Sequence, residues 1–579
     1  MHSPHAPKQT LYENLNLATS KVIDTLLASL AGEQRLESTE IFKALTASLA
    51  HDSEQWSEIQ KRYYERHLEL WMNLAQAGET GAPAPLISPE KGDRRFSSSE
   101  WQQLPYFSYL KQAYLLNSRW LAEVVEAAHL DAPTKNKLRF FTRQLADAAA
   151  PTNFPATNPD VLKLASETKG ESLTRGLDLL NEDLKKGRIS MTDETAFEIG
   201  RNIAVTPGTV VFENKLIQLI QYQPVTDSVY ERPLLMVPPC INKYYILDLQ
   251  PENSYVQYAV SQGHTVFMVS WRNVPDDMGN VTWDQYLETG VIKAIAVTRA
   301  ICGVKQINIL GFCVGGTLVG AALAVLRAKN RNPAASVTLL AAMLDFSDTG
   351  ELSVYVDQAY VKKREQDFAQ GGVLRGKELA LTFSSLRAND LIWNYVVNNY
   401  LKGRKPDAFD LLYWNSDSTN LPGAMYVYYI RNMYLENNMI VPGKLTMCGV
   451  PVDLSQIKIP AFILASREDH IVPWKTAFQS TRLLGGEIEF VLAASGHIAG
   501  VVNPASKNRR HYWLNPALTT AADDWLAGAG QQPGSWWNHW SGWLAERSGK
   551  YVPARTTPGS AKYPAIEPAP GRYVRQRCD

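Results

Sequence analysis

The sequence predicts an α/β fold, with a mostly parallel sheet covered on both faces and a mostly helical region before it. Three observations predict it. From about residue 205, apolar runs of strand length alternate with stretches of helical length. Before about residue 195, apolar residues recur at helical spacing instead. Within the strand-and-helix region lie residues 306–317, a β-branched run that ends in Gly311-Phe312-Cys313-Val314-Gly315 and passes into a small-residue helical pattern to about residue 328. That last stretch is the strand, sharp turn and helix of a nucleophile elbow, with cysteine in the serine position. It lacks the Gly-Lys-Ser/Thr ending of a phosphate-binding loop and the spacing of a dinucleotide fingerprint.

Residues 1–195 are expected to form a helical accessory domain for pairing or surface attachment. In 53–77, Trp56, Ile59, Tyr63, Leu70 and Leu74 recur near helical spacing while charged residues fill the other face. A Gly/Pro-rich break follows at 81–92, then an aromatic-rich helical pair at 106–129 and 133–149, a second break at 151–155, and a helical stretch to about residue 186. Such aromatic stripes read as core or partner interface.

The remainder, 196–579, is expected to be the catalytic domain. Strands are predicted at 216–221, 233–237, 264–271, 306–312, 337–344, 461–465 and, as the last, 488–492, with helices at 251–262, 282–301 and 314–328. More than a hundred residues separate the fifth and sixth of these, too many for a loop in a compact sheet. Residues 346–458 are therefore expected to be an inserted cap, and Trp393, Tyr395, Tyr400, Tyr413, Trp414, Tyr426, Tyr428, Tyr429 and Tyr434 suggest an apolar lid. Near the end, Trp536, Trp540, Trp543 and Leu544 share one helical face, read either as a closing helix on the sheet or as an apolar surface for polymer or lipid.

Composition narrows the function. Lys plus Arg equals Asp plus Glu, 58 each, so no global field attracts nucleic acid or an anionic membrane. The five cysteines are scattered with no CxxC pair, which argues against a disulfide framework or structural zinc and fits a reducing cytosol. No apolar run approaches the roughly 18 residues of a membrane span, and a cytoplasmic location is expected.

An elbow nucleophile takes an acid and then a histidine from loops after later strands. Strand 461–465 runs into Arg467-Glu468-Asp469-His470, and strand 488–492 into Ser495-Gly496-His497. Cys313, Asp469 and His497 are thus the candidate nucleophile, acid and base. His470 is the rival histidine but occupies the acid's loop, where it reads first as a structural neighbour of Asp469 and otherwise as a candidate to position that acid or meet the substrate; Asp469 is preferred to Glu468. A thiol is mostly protonated at neutral pH, so the imidazole must take its proton while the carboxylate holds the ring in the useful tautomer. Backbone N–H groups of Val314 and of the loop 238–243, taken at Ile241, are placed to hold an oxyanion, and Cys240 reads either as a small buried residue or as a candidate contact to substrate. An acyl group on cysteine is a thioester, nearly balanced in exchange with acyl-CoA and downhill in transfer to an alcohol. That favours an ester-forming acyltransferase.

These residues resemble the poly(3-hydroxyalkanoate) synthases, in particular their class I members. The likeness rests on Asp93-Arg94-Arg95-Phe96, Val237-Pro238-Pro239-Cys240-Ile241-Asn242-Lys243-Tyr244-Tyr245, Gly311-Phe312-Cys313-Val314-Gly315-Gly316, Arg467-Glu468-Asp469-His470-Ile471-Val472-Pro473-Trp474 and Ser495-Gly496-His497-Ile498. The resemblance implies an α/β-hydrolase catalytic domain with a cap, an N-terminal domain linked to dimerisation and granule association, and polymerisation of (R)-3-hydroxyacyl-CoA with release of CoA. It implies no cofactor, since the CoA thioester is substrate, and short acyl chains. It also marks Asn437 as a residue near the site, and Arg387, with Lys402, Arg404 and Lys405 nearby, as a candidate for CoA phosphate. Two rival functions remain to be separated from it: a cysteine thioesterase or polyester depolymerase, and a non-catalytic granule coat protein.

Overall fold

The computed structural model describes residue 45, residues 52–80 and residues 85–578. The expected helical character of 1–44 and 46–51 and the part of the Gly/Pro break at 81–84 lie outside the described residues. Two compact units emerge: Met1–Asp193 with Phe383–Ala408, and Glu194–Thr382 with Phe409–Asp579.

The first unit is helical. Its main helices are α1 (Ser53–Thr80), α2 (Pro105–Ala127), α3 (Ala132–Ala148) and α4 (Glu171–Lys186). Asp131 caps α3 by accepting the Thr134 N–H at 3.0 Å. The predicted stripe of α1 faces α2: Leu70 packs with Leu116 and Ile87, and the Tyr63 and Trp120 rings lie 4.9 Å apart. The opposite side of α1 leaves Tyr64, Leu68 and Trp71 exposed.

Residues 383–408, taken in sequence as part of the cap, group with this unit instead. The reason is packing. Ile392, Trp393, Val396 and Tyr400 are buried with Leu180 of α4, and the Tyr400 hydroxyl donates to Asp183 Oδ2 at 2.7 Å. Arg95 joins the same unit together, donating to Asp93, Asp147 and Asn389.

The second unit is built on an eleven-stranded sheet. In chain order its strands are β1 (Gly208–Glu213), β2 (Ile217–Tyr222), β3 (Leu234–Val237), β4 (Val266–Trp271), β5 (Ile307–Phe312), β6 (Ala334–Leu340), β7 (Ala461–Ser466), β8 (Ile488–Ala493), β9 (His511–Leu514), β10 (Gly530–Pro533) and β11 (Glu567–Pro568). They lie side by side as β10-β9-β8-β7-β6-β5-β3-β4-β2-β1-β11. The six from β8 to β4 run parallel and the flanking strands antiparallel.

Parallel strands buried on both faces need apolar residues at nearly every position, and β3 (Leu-Leu-Met-Val) has them. Leu235, Val237, Ile307 and Ile309 point to one face, beneath α6 (Lys293–Cys302) and α7 (Val314–Ala328). Met236, Leu310 and Phe312 point to the other, beneath α5 (Tyr255–Ser261) and α8 (Trp536–Glu546). Trp536, Trp537, Trp540, Trp543 and Leu544 are all buried there, and Trp540 Nε1 donates to Thr338 Oγ1 at 3.1 Å. Of the two readings of this tryptophan-rich stretch, the closing helix is the one observed.

Two strand expectations need correction. The strand predicted at 337–344 runs from Ala334 to Leu340, because the chain leaves the ladder at Ala341, whose φ is +43°. The strand at 488–492 is not the last, since β9, β10 and β11 follow and His511 lies within β9. β10 is Gly-Gln-Gln-Pro, exposed throughout, so no apolar alternation announced it. Among the described residues, no helix is long and apolar enough to cross a membrane.

Candidate active site

The parallel strands all deliver their C-terminal ends to one edge of the sheet, where β5 turns into α7. Cys313 is the single residue between them, at φ +52° and ψ −130°. A non-glycine residue there is strained by about 1–3 kcal/mol, and such strain persists only where the surroundings over-determine it. They do so here. The Cys313 N–H donates to Leu340 O at 2.9 Å, and a Cβ on Gly315 would stand 2.3 Å from Val237 O. The elbow therefore packs directly against the loop that leaves β3.

The neighbouring loops are laced to each other. Arg467 N–H donates to Ala493 O at 2.8 Å, Glu468 N–H to Ser495 O at 3.1 Å, and the Ser495 N–H returns to the Glu468 carboxylate. Asp469 and His497 are brought together: Asp469 Oδ2 lies 2.6 Å from His497 Nδ1, and Asp469 Oδ1 accepts the N–H groups of Ile471 and Val472 at 2.9 Å each. Both side chains are buried, and the Phe312 ring stacks on the imidazole with centroids 5.6 Å apart. Burial works against a charged His497, but the Asp469 carboxylate and Cys313, by charge and by hydrogen bond, outweigh it and raise the imidazole well above its ordinary range. With Nδ1 held by Asp469, Nε2 is the nitrogen left to serve Cys313.

Glu468 is exposed, engaged with Ser495, so the preference for Asp469 has a geometric ground. His470 is half-buried beside the acid, with its carbonyl near Gly350. Val314 opens α7, and its N–H is one of the helix-start donors without an intrahelical acceptor. Ile241 is fixed through its carbonyl, which accepts the Thr419 N–H at 3.0 Å. Cys240 is buried, and burial, with the Cys313 charge adding, pushes its thiol up to about 12.

Asn437, at φ +49°, spends its side chain on the loop after β6: Oδ1 accepts the Phe346 N–H and Nδ2 donates to Asp345 Oδ1, both at 2.9 Å. Phe346 in turn packs with Tyr429 and Tyr434 at 6.0 and 5.2 Å. Both phenols are pushed up by burial first, Tyr429 then by Tyr434 and Cys313, and Tyr434 by Cys313. Arg387 lies in the helical unit with an exposed guanidinium paired to Asp390 at 2.5 Å, and Lys402 there pairs with Asp160 at 3.1 Å.

The residues that brace the β3 loop had no signal in the sequence. Trp271 Nε1 donates to Pro238 O at 2.9 Å, the Thr419 hydroxyl to Cys240 O at 2.5 Å, and Trp414 Nε1 to Lys243 O at 2.7 Å. Each partner is distant in sequence.

A thiol, an imidazole and a buried carboxylate in this order can generate a thiolate and carry a proton between two leaving groups. Two family models match the chain: "Poly-beta-hydroxybutyrate polymerase (PhaC) N-terminus" over residues 92–259 and "alpha/beta hydrolase fold" over 233–504. A poly(3-hydroxyalkanoate) polymerase subunit of Cupriavidus necator is 55% identical over 530 residues, 90% of this chain and 89% of that protein. The chain belongs to the poly(3-hydroxyalkanoate) polymerase family. A poly(3-hydroxyalkanoate) polymerase of Methylorubrum extorquens is 41% identical, over 95% of this chain and 92% of its own length, and one from Rhizobium meliloti 40%, over 95% and 91%. As a family member this protein is an acyltransferase on an α/β-hydrolase fold, and the expected resemblance is met.

Proposed function

We propose that this polymerase joins (R)-3-hydroxyacyl units from CoA thioesters into a polyester, releasing CoA, through an acyl group carried on Cys313. The observation that supports it most is the Asp469–His497 pair at 2.6 Å beneath a strained Cys313.

His497 Nε2 takes the Cys313 proton, and the thiolate adds to the acyl carbonyl carbon. The N–H groups of Val314 and Ile241 receive the oxyanion. As the carbonyl re-forms, the C–S bond to CoA breaks and the CoA sulfur takes the proton from His497. The 3-hydroxyl of the next monomer or chain end then gives its proton to His497 and attacks the thioester; an oxoester forms and Cys313 leaves as thiolate. The second step runs downhill from thioester to oxoester. Water would compete for the same thioester, and the half-buried Tyr429 and Tyr434, packed with Phe346, oppose its entry.

The ligands are then the acyl-CoA and the growing polyester at a granule surface in the cytoplasm, without a cofactor, and the working form is a homodimer. Short acyl chains are the substrates assigned.

The test follows free CoA thiol and product from (R)-3-hydroxybutyryl-CoA with wild-type and Cys313→Ala protein. Polymer and CoA from the wild type, with neither from the variant, support the reading. Soluble 3-hydroxybutyrate in place of polymer makes the protein a hydrolase, and native-rate CoA release by Cys313→Ala removes the assigned nucleophile.

A further inference from the structure

The loop leaving β3, Pro238-Pro239-Cys240-Ile241-Asn242-Lys243, is held on its backbone by Trp271, Trp414 and Thr419. Its last residue adds a hold of another kind. The Lys243 side chain is 2% exposed and its ammonium donates to the backbone carbonyl of Gln576. Gln576 lies in a segment that is itself anchored: Asn273 Nδ2 donates to Arg577 O at 2.9 Å, and the Arg577 guanidinium donates to the Tyr413 hydroxyl at 2.5 Å while lying 5.1 Å from that ring's centroid.

A buried ammonium is costly, and a neutral side chain of the same length would fill the space without that cost. What a neutral side chain lacks is the bond to Gln576 and the attraction of the Asp417 carboxylate, which Tyr245 also meets at 2.8 Å. That bond ties residues 243 and 576, 333 positions apart, two residues after Ile241 in the chain. Gly315 leaves the elbow no slack against the same loop, since a Cβ there would reach Val237 O and Pro238 O. Oxyanion donors act by being preset, and a displacement on the order of 1 Å costs about a hundredfold in rate.

We propose that Lys243 is a positioning residue, which latches the loop 238–243 to the segment around Gln576 so that the Ile241 N–H stays opposed to that of Val314. The inference rests on reading those two N–H groups as the oxyanion site of a Cys313 acyl transfer.

Lys243→Met keeps the length and removes the donor. Its kcat is expected to fall about tenfold to a hundredfold with KM within about twofold, because an oxyanion exists only after attack. Alkylation of Cys313 by iodoacetamide, which reads the thiol–imidazole pair alone, should keep its wild-type rate. Lys243→Arg, which restores a donor, should recover most of kcat. Arg577→Gln, at an exposed position, should give a smaller loss with the same split, and it carries the test if Lys243→Met does not fold. Native kcat in Lys243→Met, or in Arg577→Gln where the first variant fails to fold, overturns the inference; so does a loss of kcat matched by an equal loss of alkylation rate. Those outcomes leave Cys313 in place. CoA release at the native rate by Cys313→Ala instead overturns the underlying reading and this inference with it.

Discussion

Asp469 and His497 are joined at 2.6 Å through Oδ2 and Nδ1, and Asp469 is held from behind by two backbone N–H groups on its other oxygen. The carboxylate is thus fixed before the imidazole meets it. An amide in its place either turns its NH2 toward Nδ1, which leaves the ring proton on Nε2 facing Cys313, or, flipped, sets its NH2 against the two backbone N–H groups and loses their bonds. Asp469→Asn is expected to lower kcat by about 10³–10⁴-fold with KM little changed, read as CoA release. Glu468→Gln, which still accepts from the Ser495 N–H, should stay within about tenfold of wild type.

His497 is charged more readily in the fold than outside it, because Asp469 and Cys313 outweigh the burial that opposes the charge. The folded value lies above the unfolded one, so this group's contribution to stability is fully present below about pH 6.5 and is lost as pH rises through the folded value. Urea midpoints of wild type and His497→Gln should therefore differ most at pH 6 and converge toward high pH. A constant difference across the range would contradict the assignment.

His264 behaves in the opposite sense. It is buried, both ring nitrogens lack a hydrogen-bond partner among the described residues, and burial lowers it from 6.5 to about 4. Its contribution is present above pH 6.5 and lost as pH falls through about 4, a swing of about 3 kcal/mol at 1.36 kcal/mol per unit over the interval from 6.5 to about 4. Tyr230 stacks on the ring at 4.8 Å, a contact that phenylalanine keeps. His264→Phe should hold its urea midpoint at pH 5 better than the wild type does.

Gly315 and the β3 loop leave no room for a methyl group: it would lie 2.3 Å from Val237 O and 2.7 Å from Pro238 O. Gly315→Ala should displace the loop and reduce CoA release by at least about a hundredfold, or prevent folding. Gly542→Ala in α8, where a Cβ meets nothing within 4 Å, is the control and should raise stability by roughly 0.5–1 kcal/mol.

What the sequence made legible is local. The elbow strand and helix fall at Ile307–Phe312 and Val314–Ala328, where a β-branched run gives way to small residues at helical spacing. The acid and base loops were found because each follows a short apolar strand, β7 or β8. The exposed β10 carried no pattern, and Ile392, Trp393, Val396 and Tyr400 carry an apolar pattern that fits a cap as well as it fits α4. Periodicity reports that a face is buried without reporting its partner. The Lys243–Gln576 bond and the Asn437 hold on Phe346 are likewise products of tertiary contact between distant stretches.

The account's central claim is that Cys313 carries the acyl group. Butyryl-CoA lacks the 3-hydroxyl that would attack the next thioester, so an acyl-enzyme formed from it has no onward alcohol. Peptide mass spectrometry after brief incubation should find one butyryl group, removable by hydroxylamine, on the peptide containing Cys313, together with about one CoA released per site. Release of CoA while Cys313 remains free to react with iodoacetamide would contradict it.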